Sequence, residues 1–142
     1  MKGDNIPPTH HVSHLCYGKG IEEDGQISAA SFLPRPTDAY LSVNWLERLG
    51  CSDRPSEIIE VRNRYARLKL KKKDKIALLN VGVTCSKVAK ESEDHRCLKA
   101  THEPEPNDDS HSGLWGYTYV DTMIAELIRS TVLNDVPAID TT

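Results

Sequence analysis

Apolar and polar positions change period several times along this chain, and each change marks an element. Residues 27–49, ISAASFLPRPTDAYLSVNWLERL, carry the densest structural instruction. Small residues surround Phe32, and Pro34 and Pro36 flank Arg35. Proline lacks an N–H and restrains the residue before it, so no helix passes through that segment. Tyr40-Leu41-Ser42-Val43 then alternates as a short strand does. Asn44 is placed to cap a helical turn through Trp45, Leu46 and Leu49, with Gly50 as its left-handed stop.

The same reading extends in both directions. Residues 11–17, HVSHLCY, suit a strand, and the turn region 18–25, with three acids, closes a hairpin back towards Ile27. Asp53, Pro55, Glu57 and Glu60 form a helix entry, and Ile58, Ile59, Arg62 and Tyr65 follow a 3.6-residue period, which predicts a helix over 54–66. Leu68 and Leu70 alternate with lysines, 71–74 turn, and 76–81 read as a strand, so a lysine-rich hairpin is expected. Thr84 is expected to cap a short helix reaching Ser92, and 95–101 to form a strand. An acidic, proline-broken loop over 103–109 leads into a strand at 114–120. Val120, Met123, Ile124, Leu127, Ile128 and Val132 then make one helical stripe that Pro137 ends. The order predicts an α+β fold: a mixed or mainly antiparallel sheet with two main helices. Residues 1–9 are expected as a flexible arm, 10–137 as a single domain and 138–142 as a C-terminal tail.

Composition narrows the class without naming a reaction. The chain has 142 residues, enough to bury a core without staples. No run reaches the roughly 18 apolar residues of a membrane span, and residues 1–11 lack the apolar core of a signal peptide. A cytoplasmic protein with free thiols at Cys16, Cys51, Cys85 and Cys97 is the expectation, with no membrane partner. Net charge is −3, yet residues 62–75 hold eight bases against one acid. That window carries +7 and leaves −10 for the remainder. Its residues Arg64, Arg67, Lys69, Lys71, Lys72, Lys73 and Lys75 are the candidate phosphate contacts, for RNA, DNA or a nucleotide. A lysine-rich turn is also an ordinary solvated hairpin tip.

Histidines supply the other candidate chemistry. His11, His14 and His111 stand near the two ends of the chain, where folding can bring them together. Two imidazoles beside a basic patch can cleave a phosphodiester without metal, one taking a proton and the other returning it to the leaving oxygen. His111 ranks first: it follows the acidic loop, Ser110 and Ser112 can orient its ring, and Asp108 or Asp109 can favour its charged form. His14-x-Cys16 and His95-x-Cys97 have donor atoms zinc accepts, but neither spacing builds a tetrahedral site. No metal and no cofactor is therefore expected. Ser42 lacks a nucleophile elbow, and neither Gly18-Lys19-Gly20 nor Val81-Gly82-Val83 completes a phosphate loop.

His11-x-x-His14, Ala30-Ser31-Phe32, the string LSVNWLE over 41–47 and Ser110-His111-x-x-Leu114-x-Gly116 occur in this order along most of the chain. The combination resembles a group of small bacterial proteins with no established activity. Where that group's pattern carries an arginine, this chain carries His14. The resemblance implies a fold and a bacterial origin. The functional expectation is binding of a phosphate-bearing partner with histidine-based phosphodiester hydrolysis. The alternative is a non-catalytic module that docks to a protein partner.

Overall fold

The computed structural model describes residues 1–140. Its centre is one open six-stranded sheet in the order β4-β5-β2-β1-β3-β6, with every neighbouring pair antiparallel. The strands are β1 (His11–Cys16), β2 (Leu41–Trp45), β3 (Lys75–Asn80), β4 (Lys99–His102), β5 (His111–Trp115) and β6 (Asn134–Pro137). Helices α1 (Arg54–Arg64), α2 (Val81–Glu91) and α3 (Thr122–Ser130) pack on it, and short 3-10 turns occupy Gly18–Gly20, Ala29–Phe32 and Leu46–Leu49. The protein is α+β, as the order of elements predicts, with three helices where two were expected.

Alternation places the core. Val12, Cys16, Val43, Ala77 and Leu79 meet Phe32, Val88 of α2 and Ile124 and Ile128 of α3 on one face. Ile76 and Leu78 point the other way, to Leu46 and Val61. β3 is covered on both faces, which is why KIALLN reads as an apolar run instead of an alternation.

Caps decide where the helices begin. The Asp53 side chain accepts from the Ser56 N–H at 2.9 Å, with Pro55 in the first turn, as the sequence predicts. The buried face of α1 is rotated from the expected one: Glu57 and Val61 face inward, and Ile59 is exposed. α2 starts three residues before Thr84, because Asn80 Oδ1 takes the Val83 N–H at 2.8 Å. The Thr84 hydroxyl instead meets that of Thr131 at 2.7 Å and ties α2 to the end of α3. The turn after β2 is 3-10 and Asn44 does not cap it, although Gly50 does stop it at φ +72°. Val120 and Met123, expected in the apolar stripe of α3, are 65% and 68% exposed.

Three further segments depart from expectation. Residues 1–9 are not a loose arm: Ile6 is buried and its N–H meets the Ala100 carbonyl at 2.9 Å, while His102 N–H meets the Asp4 carbonyl at 2.8 Å. The lysine-rich segment makes no hairpin, since 65–74 is a run of turns. Buried Asp74 gathers it, accepting from the N–H groups of Lys71 at 2.7 Å and Gly18 at 3.3 Å. The last helix ends at Ser130, and the edge strand β6 follows, with Pro137 closing it. Ala138, expected in the tail, is buried, and Thr141 and Thr142 lie outside the described residues.

Candidate functional site

β1 and β2 are central neighbours, yet they pair over only two positions, Val12 with Trp45 and Ser13 with Asn44. Beyond Ser13, β1 continues to Cys16 along β3, and Leu41 and Ser42 of β2 pair with β5. The two strands therefore part from His14 onward. The His14 ring fills the start of the opening, with Nδ1 2.8 Å from the Ser42 carbonyl and Nε2 2.6 Å from the Ser31 carbonyl. Its ring lies 5.3 Å from that of Phe32. In this way the turn Ala29–Phe32 is drawn against the parted strands. The Ser31 hydroxyl holds the turn in place by donating to the Gly20 carbonyl at 2.7 Å. A neutral imidazole donates through one nitrogen only, so one of the two carbonyls faces a lone pair. Burial pushes the His14 pKa down, against the upward pull of both carbonyls.

Outside this turn the opening widens into a cleft of about 880 Å³, walled by the segments after β1, α1 and β4. A buried network forms one end. Asn44 Nδ2 donates to Asp108 Oδ2 at 2.7 Å and to Ser110 Oγ at 2.8 Å, and Asn44 Oδ1 accepts the Tyr65 hydroxyl at 2.7 Å. Arg64 Nε adds a bond to Asp108 Oδ1 at 3.3 Å. Burial pushes the Tyr65 phenol well up, so it stays a neutral donor.

His111 stands beside this network. Its Nδ1 is 2.9 Å from the Glu103 carbonyl, which can only accept, so Nδ1 carries a proton. Glu105 Oε1 lies 3.8 Å from its Nε2. The partners expected for this ring are engaged elsewhere. Asp108 serves Asn44, Arg64 and Ser110, Asp109 pairs with Arg48 at 2.8 Å, and Ser112 donates to the Ser110 carbonyl.

His14 and His111 thus line the same cleft, and His11 does not. The His11 Nδ1 and backbone N–H are both held by the Glu47 carboxylate, at 2.7 and 2.8 Å. The basic window divides as well. Arg64 and the exposed Arg67 line the cleft, whereas the likewise exposed Lys69, Lys71, Lys72 and Lys73 lie outside it, and Lys75 reaches Asp135 at 3.4 Å. Lys19 and Arg35 join Arg67 on the cleft walls, contributed by the turns after β1 and before β2. Arg35 is paired with Asp38 at 2.9 Å. Lys19 and Arg67 have no carboxylate partner among the described residues.

The other donor pairs do not converge. The Cys16 thiol is buried, which pushes its pKa up to about 12, and His95 turns its Nδ1 to the Ala89 carbonyl at 3.0 Å. Among the described residues no three histidine, cysteine or carboxylate side chains are grouped to hold a metal ion. No helix among them is long and apolar enough to cross a membrane. No protein-family model, curated protein or solved structure matches this chain.

Proposed function

We propose that this protein binds a phosphate-bearing small molecule of nucleotide size in the cleft between β1 and β2. The observation that carries the reading is the pair Lys19 and Arg67, cations without carboxylate partners on the walls of a cleft of about 880 Å³. A pocket of this volume suits a small ligand, and its lining, as much polar as apolar, suits a charged one. Single-stranded RNA or DNA is the weaker reading, because the lysines at 69–73 lie outside the cleft. Hydrolysis by paired histidines draws no support from the arrangement: the His14 ring is wedged between two carbonyls and His11 is held by Glu47, which leaves His111 without a second imidazole to act with.

Calorimetric titration with AMP, ADP and ATP tests the reading. At least one should bind, and Arg67→Ala and Lys19→Ala should each weaken it about tenfold, or about 1.4 kcal/mol. Absence of binding by all three at millimolar concentration would remove it. A second reading, docking to another protein, is favoured by the exposed Tyr119, Val120 and Met123 before and within α3. It predicts association that Met123→Lys abolishes in sedimentation.

A further inference from the structure

The register of the sheet gives the cleft two ends. His111 pairs with Asn44, and Asn44 pairs with Ser13, so His111 and Glu105 stand at the level of Ser13. Tyr17 follows the opposite end of β1, about 13 Å further along at roughly 3.3 Å per residue, and Lys19 and Arg35 line the walls there. The chain between these levels is the turn segment after α1. Tyr65 is bonded to Asn44 at one end of that segment and Asp74 to Gly18 at the other, and Arg67, two residues after Tyr65, lines the cleft from it.

The two ends ask for different chemistry. At one, the Glu105 carboxylate, 3.8 Å from His111 Nε2, presents two neighbouring acceptor oxygens. They repel an anion and suit a pair of adjacent hydroxyls, each donating to one of them. Towards the other end the walls carry Arg67 and Lys19, with Arg35 already paired to Asp38, and two unpaired cations suit a chain of two or more phosphates. We propose that the ligand is a nucleoside diphosphate or triphosphate. Its ribose hydroxyls donate to the Glu105 carboxylate beside His111, and its phosphate chain runs past Arg67 to Lys19. The proposal rests on the phosphate-binding reading above and adds the polarity of the ligand and the residues that select its sugar.

The test compares ADP, AMP and dideoxy-ADP, which lacks both ribose hydroxyls, by calorimetry on the full chain. A site built to bond a hydroxyl rejects the analogue without it. ADP should therefore bind about tenfold or more tighter than dideoxy-ADP, and tighter than AMP. Glu105 is 57% exposed, so Glu105→Ala should leave the fold intact, lower the affinity for ADP and bring ADP and dideoxy-ADP close together. Equal binding of ADP and dideoxy-ADP to the unmodified protein would overturn the assigned polarity while leaving phosphate binding standing. A preference for ADP that Glu105→Ala does not reduce would overturn the assigned residues. Binding of AMP without binding of ADP or ATP would overturn the assigned phosphate chain alone, and failure of all three would overturn both proposals.

Discussion

The Tyr65 hydroxyl donates to Asn44 Oδ1 at 2.7 Å and so joins the end of α1 to the middle of the sheet. Asn44 is fully used: both amide hydrogens go to Asp108 and Ser110, and its oxygen has this one donor. Tyr65→Phe would strand that oxygen in a buried position. The expected cost is about 1–3 kcal/mol, read as a lower urea midpoint at unchanged slope. A midpoint equal to that of the unmodified protein would show that water replaces the phenol without loss.

His14 gives a pH dependence whose sign follows from its burial. Its pKa is lowered in the folded protein, so the unfolded chain binds the proton more readily than the native one. The stability it contributes is present above the ordinary histidine pKa of about 6.5 and is lost as pH falls below it. Urea denaturation at falling pH should show this loss, and His14→Gln should flatten the slope. A steeper slope in His14→Gln would reverse the assignment.

Gly20 lies against the turn that His14 holds. A methyl group built there would sit 2.0 Å from Ser31 Oγ and 3.1 Å from its Cβ. Gly20→Ala should therefore displace Ser31 and destabilise by about 1–3 kcal/mol, as overpacking does elsewhere. Ser31→Ala removes the closer atom, so the double variant should recover part of that loss. Simple additivity of the two changes would mean they do not meet.

The lysine-rich turn provides a contrast with Arg67. Neutralising Lys71, Lys72 and Lys73 together removes charge but no cleft contact. Nucleotide affinity at moderate salt should fall less than with Arg67→Ala, because these lysines do not line the cleft and exposed charges are screened by salt. A loss as large as that of Arg67→Ala would place the phosphate on the turn and not in the cleft.

Local chemistry was legible in the sequence wherever one segment settled its own shape. The Asp53-Pro55 entry to α1, the left-handed stop at Gly50 and the strand at β2 all follow from neighbouring residues. β6 was not legible, because Asn134-Asp-Val-Pro is a polar edge strand with no alternation to read. The cleft was half legible. Arg64 and Arg67 come from an obvious run of bases, and His14 and His111 stood out as histidines. Lys19 and Arg35 come from separate turns that only the tertiary fold brings to one wall, and neither turn has a pattern that announces it. At the parting of β1 from β2 a histidine ring sits between two carbonyls 28 and 17 residues away, a relation no local pattern contains.

The packing of residues 3–6 along β4 has a consequence for how the molecule meets its own copies. A bare outer strand is a template for another chain, since its unpaired N–H and carbonyl groups invite a further strand. Here Gly3 and Ile6 take the carbonyls of His102 and Ala100, and Asp4 takes the His102 N–H. On the far side the exposed strand is short and ends in Pro137, which has no N–H to offer. A variant beginning after Ile6 would bare the backbone of Ala100 and His102 and should aggregate on heating earlier than the full chain. The residues that finish the sheet at this rim also stop one molecule from serving as the next strand of another.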